Sequence, residues 1–223
     1  MNSECFVVFF DVDNTILNGY SQRYFIKYLF KNKKINIFYL LTGYVWFLFY
    51  KLQIIKSPKK AIEFLVNFFK GWKEKDLESL VDYFFDEYIE GNLFNQAIDE
   101  VKEHIKNGHK VVLISTSLEP IVKKIGLFMG VKEYISTDLE VMDGKYTGKI
   151  RGRVVDGQEK VNRFKKYLEG YGDKCDNLCT FFYTDHYSDK ELLLLVDRPY
   201  VVNPDNILYK VARNNNWPII NYK

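Results

Sequence analysis

The stretch that decides the fold is CFVVFFDVDNT, residues 5–15, in which an apolar run ends in two aspartates. Residues 5–10 are rich in β-formers with no polar alternation, which predicts a strand buried on both faces, as in a helix-covered parallel sheet. Because side chains alternate along an extended chain, Asp11 and Asp13 should face one crevice and Val12 the opposite side. Two such close carboxylates repel each other, and a hard divalent cation such as Mg2+ relieves that repulsion.

Two more apolar runs resemble the first: KVVLI at residues 110–114 and LCTFFY at residues 178–183. Each is followed by a helical pattern, and this βα alternation predicts an α/β fold with a doubly wound parallel sheet. A short run at residues 199–202 predicts another strand, and residues 138–150 alternate around Asp143-Gly144, a hairpin signal.

The long segment between the first two strands has no strand-like alternation and is rich in Leu, Phe, Tyr and Lys. It predicts a helical insertion, followed by an amphipathic helix in which Ala97, Val101 and Ile105 recur at spacing four. We therefore predict an α/β core of residues 1–18 and 92–223 with a helical cap of residues 19–91. The predicted cap helices lie near residues 20–31, 35–54, 58–70 and 74–90.

Composition bounds the class of protein. The 223 residues are 47% hydrophobic and 27% charged, enough apolar surface for a substantial core. A formal charge of +3 gives no field suited to DNA or RNA, so no nucleic-acid partner is expected. The three cysteines match no zinc pattern and predict reduced thiols. With no secretion signal recognised at the N-terminus, a cytoplasmic location is expected.

The sequence FFDVDNTIL, residues 9–17, resembles the opening motif of the haloacid dehalogenase superfamily, hhhDxDx(T/V), in which h is an apolar residue. The resemblance implies that Asp11 attacks phosphorus and forms an aspartyl phosphate. It implies that Asp13 first protonates the leaving alcohol and then activates water. Thr15 would support the loop.

Three further motifs of the superfamily are matched in order. KVVLIS supplies Ser115, a hydroxyl for a phosphoryl oxygen, and DGQEKVNRF supplies Lys160, which would hold the nucleophile and phosphate together. FFYTDHYSDKELL supplies Asp185 as a metal ligand and Asp189 as a residue that orients the site. The resemblance thus implies Mg2+ held by Asp11, Asp13 and Asp185.

Three polar residues adjacent to these motifs are not expected to carry out the chemistry themselves. Thr116 and Ser117 are expected at the start of the following helix, where free backbone N–H groups favour an anion. His186 is expected to be exposed or packed, and neither a ligand nor a base.

The chain looks most like the phosphoserine-phosphatase-like branch, subfamily IB, which implies a Rossmann-like core and a helical C1 cap. It implies a Mg2+-dependent phosphomonoesterase acting on a small organic phosphate. Phosphoserine phosphatases carry a glutamate nine residues after the nucleophile, whereas this chain has Tyr20, which counts against phosphoserine. Tyr20 and Arg23 are the candidate substrate contacts from the cap. Transfer of the phosphoryl group to another alcohol and the oligomeric state stay open.

The aromatic stretch of residues 35–50 has two interpretations. It is favoured as a helix buried within the cap, because a run of this length is more often a core helix than a membrane span. The alternative is an interfacial anchor at the inner membrane face, with Lys31, Lys33 and Lys34 facing anionic headgroups. That alternative implies a lipid phosphate phosphatase, similar to the phosphatidylglycerophosphate phosphatases of this branch. A non-catalytic scaffold that uses the aromatic cap is the third hypothesis.

Overall fold

The computed structural model describes residues 4–52, 58–171, 175 and 177–223. Its centre is a six-stranded sheet in the order β3-β2-β1-β6-β7-β8, with every neighbouring pair parallel. The sheet strands are β1 (Glu4–Phe10), β2 (Lys110–Leu118), β3 (Glu133–Thr137), β6 (Asn177–Thr184), β7 (Arg198–Val202) and β8 (Ile219–Ile220). The separate hairpin consists of β4 (Leu139–Met142) and β5 (Lys145–Ile150). The predicted doubly wound sheet and the hairpin are confirmed.

The helices flank this sheet and fill the insertion between β1 and β2. They are α1 (Ser21–Lys31), α2 (Ile37–Lys51), α3 (Pro58–Val66), α4 (Glu74–Phe84), α5 (Asn95–Lys106), α6 (Glu119–Met129), α7 (Gln158–Glu169), α8 (Lys190–Leu193) and α9 (Asn206–Asn214). A 3-10 turn at Asn67–Phe69 continues α3, and a π-helical turn at Phe85–Ile89 continues α4. The predicted end of the second cap helix, at residues 53–54, lies outside the described residues.

Strand β2 is longer than its apolar run. It continues to Leu118, which pairs with Thr137 of β3 after a shift in register, and α6 starts only at Glu119. The prediction that Thr116 and Ser117 begin a helix is therefore wrong. Neither β3 nor β8 was predicted, because each is short and takes its strand character from its neighbours in the sheet.

The two chain segments that enter and leave the insertion run side by side. The Asn18 N–H donates to the Asn92 carbonyl at 2.8 Å, and the Phe94 N–H donates to the Ile16 carbonyl at 2.9 Å. Phe25 and Phe84 of the insertion belong to the same hydrophobic cluster as strand and helix residues of the α/β core. A division at residues 18/19 and 91/92 stays a prediction, but the apolar packing is continuous across it.

Helix α2 is not buried on all sides, contrary to the favoured interpretation. One side packs on α3, where the Tyr39 hydroxyl donates to the Phe64 carbonyl at 2.7 Å, while Phe38 on the other side is 74% exposed. Within the described residues, no helix has the length and apolar character needed to cross a bilayer.

Cys5 and Cys175 form a disulfide with Cα atoms 5.9 Å apart, which corrects the prediction of reduced thiols. The two residues meet because β1 pairs with β6, and Cys175 lies just before β6. The cytoplasmic location stays a prediction.

Aromatic stacking joins the strands that lead into the polar end of the sheet. Phe10 of β1 stacks on Tyr183 of β6 at 4.2 Å, and Tyr183 stacks on Tyr200 of β7 at 4.6 Å. The Tyr183 hydroxyl contacts His104 Nε2 at 3.0 Å and donates to Glu100. Burial, with a contribution from His109, lowers the pKa of His104 to about 4.

Replacing His104→Gln should therefore reduce the loss of stability in acid. An unfolded histidine has a pKa of about 6.5, so below that pH the unfolded chain binds a proton that the folded chain excludes. Lowering the pH from 7.5 to 5 should reduce the free energy of unfolding of the variant by about 2 kcal/mol less than that of the wild type. Urea unfolding at both pH values measures this, and parallel losses in variant and wild type would contradict it.

Candidate active site

Acidic side chains gather where two adjacent strands end. Asp11 follows β1 and Asp185 follows β6, and the Asp11 N–H donates to the Tyr183 carbonyl at 2.9 Å. They line an open crevice with a volume of about 310 Å3. Its lining comprises Asp11, Asp13, Tyr20, Gln22, Ser115, Thr116, Asp156, Lys160, Asp185, His186, Ser188 and Asp189. The structure thus brings together the main residues of all four sequence motifs, as open α/β sheets do at the carboxyl ends of their strands.

Lys160 is buried in this crevice and links two of its carboxylates. From the first turn of α7, its Nζ donates to Asp11 Oδ1 and to Asp189 Oδ2, each at 2.7 Å. The Thr184 hydroxyl donates to the same Asp189 oxygen at 2.7 Å. Burial alone would lower the pKa of Lys160, but the two carboxylates outweigh it and raise the pKa above its ordinary value. The lysine therefore stays charged.

The electrostatics of Asp11 depend on that lysine. Burial raises the pKa of the Asp11 carboxyl, Lys160 opposes the shift, and the nearby carboxylates of Asp189 and Asp185 add to it. A buried carboxylate is stable in its ionised form only when a cation stays beside it. Lys160 supplies such a cation at hydrogen-bond distance.

Asp13 is fixed by two serines that sequence reasoning did not assign. Its Oδ1 accepts from the Ser21 N–H at 2.8 Å, and its Oδ2 accepts from the Ser117 hydroxyl at 3.1 Å. Burial raises the pKa of Asp13, and both serines oppose the shift. Ser117 could have been found from its spacing of two from Ser115 along an extended chain. Ser21 could not, because it begins α1 and meets Asp13 only in the folded chain.

The pKa of the Asp185 carboxyl is strongly raised in the crevice. Burial raises its pKa to about 7, against the lowering effects of His186, Lys160 and a hydrogen bond from the Asn14 side chain. Asn14 lies at a left-handed φ of 56° in the turn after Asp13, and its N–H donates to the Gly19 carbonyl at 3.0 Å. This asparagine was not assigned from the sequence.

The hydroxyl residues of the motifs differ in what they contact. Ser115 lines the crevice, and its Oγ accepts from the Ser117 N–H at 3.1 Å, which leaves its own proton available. Thr116 instead donates to the Val155 carbonyl at 2.9 Å. Thr15 is fully buried, and its hydroxyl has no hydrogen-bond partner within the described part of the chain. Any support it gives the loop therefore comes from packing.

The cap reaches the crevice through the start of α1. Tyr20 lines the crevice, whereas Arg23 does not and lies with its guanidinium 4.4 Å from the centre of the Tyr20 ring. Gln22 lines it as well and was not predicted. The His186 side chain is more than half exposed, as expected, and its Nδ1 lies 3.0 Å from the Ser188 hydroxyl.

The charge balance of the crevice suits a divalent cation. Asp11, Asp13, Asp185 and Asp189 stand against one lysine, and burial raises the pKa of at least three of these acids. Added positive charge would relieve this, and oxygen ligands are those that Mg2+ prefers. Across the described residues, however, no three His, Cys, Asp or Glu side chains form a ready metal cluster. The ligand set stays a prediction.

Comparisons with known proteins identify the family of the chain. Residues 8–194 match the family described as haloacid dehalogenase-like hydrolase. The chain is 28% identical to a histidinol-phosphatase of Neisseria meningitidis, covering 96% of this chain and 97% of that one. It is 26% identical to phosphoserine phosphatase SerB1 of Mycobacterium tuberculosis, covering 96% and 70%. The crystal structure of a Bordetella pertussis protein of unknown function superposes on this chain with a TM-score of 0.88. The two are 26% identical, and the match covers 98% of this chain and 99% of that one.

Lys160→Met should destabilise the protein, because it leaves Asp11 and Asp189 buried without their cation. Breaking a buried pair by removing one partner costs about 3 to 5 kcal/mol in the free energy of unfolding. Chemical denaturation at pH 7.5 measures the loss, and Asp189→Asn in the same chain should restore part of it. Lys165→Met, at an exposed lysine of the same helix, is the control and should change little. A Lys160→Met variant as stable as that control would contradict this account.

Proposed function

The chain belongs to the haloacid dehalogenase-like hydrolases, and on that premise we propose a Mg2+-dependent phosphomonoesterase acting on a small organic phosphate through an aspartyl-phosphate intermediate. The observation that carries the proposal is that four motif residues line one crevice: Asp11, Ser115, Lys160 and Asp185. Lys160 also donates a hydrogen bond to Asp11. A carboxylate, a cation and a hydroxyl at one point suit attack on a phosphate ester.

In the first step Asp11 is the nucleophile. An Asp11 carboxylate oxygen bonds to phosphorus while the bond from phosphorus to the ester oxygen breaks. Asp13 gives its proton to the departing alkoxide, so an alcohol leaves. The raised pKa of Asp13 suits this step, because it favours the protonated carboxyl, which is the form that can act as an acid.

In the second step the same carboxylate acts as a base. Asp13 takes a proton from water as the water oxygen attacks phosphorus and the bond to Asp11 breaks. Inorganic phosphate leaves, and Asp11 and Asp13 return to their initial states. An alcohol in place of water would give phosphotransfer, so product analysis with an added alcohol separates the two reactions.

Lys160 and Ser115 hold the phosphoryl group during both steps. Lys160 contributes positive charge beside Asp11, and the Ser115 hydroxyl has a proton to donate to a phosphoryl oxygen. The carboxylates of Asp11 and Asp185 are the side chains best placed to hold Mg2+, since both oxygens of Asp13 already accept hydrogen bonds. When bound, Mg2+ neutralises phosphate charge and orients the ester.

The identity of the alcohol should be read by Tyr20 and Gln22, which reach the crevice from the cap. Two relatives are named for histidinol phosphate and phosphoserine, so both esters belong in a substrate panel. Sugar phosphates, nucleotides and lipid phosphates complete it. The cleaved ester that gives the highest kcat/KM identifies the substrate class.

A lipid phosphate is the second candidate, and one observation favours it. An apolar cavity of about 40 Å3 lies between the cap helices and α6, lined by residues such as Phe25, Leu29 and Val66. Gln22 lines both this cavity and the crevice, so the first carbons of an apolar group could lie there when its phosphate is bound at Asp11. The scaffold hypothesis gains no comparable support, because a scaffold needs no buried cluster of acids.

Asp11→Asn should abolish hydrolysis of p-nitrophenyl phosphate, because an amide oxygen is a poor nucleophile. The expected loss in kcat is roughly ten-thousandfold or more, as for removal of other covalent nucleophiles. Chelation of divalent ions should also remove activity, and Mg2+ should restore it. Asp99→Asn, at an exposed acid of α5, is the matched control and should keep full activity. Full activity in the Asp11 variant would end the proposal.

Ser117→Ala should slow catalysis without removing it, because Asp13 keeps its bond from Ser21. Loss of one hydrogen bond of about 1 to 2 kcal/mol corresponds to roughly a tenfold fall in kcat. Since Ser117 helps to lower the pKa of Asp13, the pH–rate profile should also shift to higher pH. Ser136→Ala is the control, since Ser136 is also buried and its hydroxyl has no partner among the described residues. Identical profiles for both variants would contradict a positioning role for Ser117.

A further inference from the structure

Helix α2 carries a broad apolar surface that the described residues leave uncovered. We call this surface the outer face of α2, and its residues are between 39% and 74% exposed. They are Ile37, Phe38, Leu41, Tyr44, Val45, Leu48 and Phe49. Exposed apolar patches of this continuity mark sites of interaction with proteins or membranes.

The opposite side of α2 packs firmly, so the exposure does not come from a loosely attached helix. The Tyr39 hydroxyl donates to the Phe64 and Leu65 carbonyls at 2.7 and 2.9 Å, and Trp46 stacks on Phe64. A Cβ atom at Gly43 would lie 3.0 Å from Leu65 Cδ2, so the two helices approach closely there. The outer face is therefore presented in a fixed orientation.

Few polar groups lie on or beside the outer face. Thr42, the hydroxyl residue between its apolar side chains, donates to the Phe38 carbonyl of its own helix at 2.8 Å. The helix contains no acidic residue, and the residues of the outer face include no lysine or arginine. Apart from the Tyr44 hydroxyl, which a tyrosine at a membrane interface keeps at the headgroup level, such a face can lie against hydrocarbon.

The charged residues that flank α2 in the sequence are basic, and the first acidic residue after it is Glu63 of α3, which pairs with Lys59 at 3.7 Å. Residues 20–62 contain nine basic residues and no acidic one, whereas all 29 acidic residues of the chain lie elsewhere. Lys33 and Lys34, just before the helix, and Lys60, at the start of α3, are exposed. Lysines before a helix N-terminus oppose its dipole, so they do not serve the stability of α2. They do supply positive charge beside an apolar face.

We propose that the outer face of α2 docks in the plane of a bilayer that contains anionic lipids, with the flanking lysines against the headgroups. An apolar helix face bordered by cations is the pattern of an interfacial helix. The 15 residues of α2 extend about 22 Å, short of the roughly 30 Å hydrocarbon core, so the helix lies on the membrane. Two copies pairing through this face would bring their basic flanks together, which disfavours self-association.

The test is co-sedimentation of the full-length protein with vesicles of phosphatidylcholine alone or of phosphatidylcholine with 30% phosphatidylglycerol. Binding is expected to the anionic vesicles and to weaken as salt is raised. Lys33→Gln with Lys34→Gln should weaken it roughly thirtyfold, since each lysine near an anionic surface contributes about fivefold. Phe38→Ser with Leu41→Ser should weaken it at least about tenfold through lost apolar burial. These four residues lie outside the proposed catalytic machinery.

Matched controls change the same residue types elsewhere. Tyr83→Ser with Leu127→Ser replaces two other exposed apolar residues, and Lys102→Gln with Lys165→Gln replaces two other exposed lysines. Neither pair should alter binding. Asp11→Asn should bind vesicles as the wild type does, so docking can fail or succeed independently of the proposed hydrolysis.

Three results would overturn the proposal. They are absence of binding to anionic vesicles, equal losses in test and control variants, and equal binding to the neutral vesicles. A dimer by light scattering in vesicle-free buffer that the Phe38 and Leu41 changes dissociate would assign the face to a second copy instead. Circular dichroism and p-nitrophenyl phosphate hydrolysis by each variant establish that lost binding does not reflect lost folding.

Discussion

The structure depends on one buried cation, Lys160, placed between Asp11 and Asp189. Carboxylates removed from water repel each other and tend to take up protons, and a lysine at 2.7 Å from both opposes this. The contact also joins three parts of the sequence: the end of β1, the start of α7 and the turn after β6. The same arrangement that favours the ionised form of Asp11, the proposed nucleophile, therefore helps to hold the end of the sheet together.

The cap and the core are coupled at the second aspartate. Asp13 follows β1, yet its carboxylate accepts from Ser21 at the start of α1 and from Ser117 in β2. Its protonation is thus sensitive to where α1 lies, and the hydrophobic cluster that spans insertion and core restrains that position. A cap that moved far from the core would release the proposed acid and base from one of its partners, so contact of α1 with the core favours the competent state.

Charged residues are distributed unevenly along the chain. Five aspartates line the crevice and residues 63–91 carry eight acidic residues, while residues 20–62, the basic end, carry only basic ones among their charged residues. A formal charge of +3 hides this division, because the two groups nearly cancel. The apolar outer face of α2 and the apolar cavity beside Gln22 both belong to the basic end. A phosphate ester with an apolar portion is the ligand that would use both ends at once.

The sequence by itself determined the parallel sheet, the helical insertion and the motif residues, because strand ends, turns and residue spacing are local properties. The βα alternation placed Asp11 and Asp185 after strands and Ser115 after an apolar run, which the structure extends as strand β2 to Leu118, and parallel strands bring such ends to one edge. Only the tertiary structure decided which groups hold Asp13, because Ser21 meets it through the packing of α1. It also decided that Cys5 pairs with Cys175 and that α2 is exposed on one side. Burial depends on which elements pack together, and an all-round apolar helix gives no local signal of the side its neighbours cover.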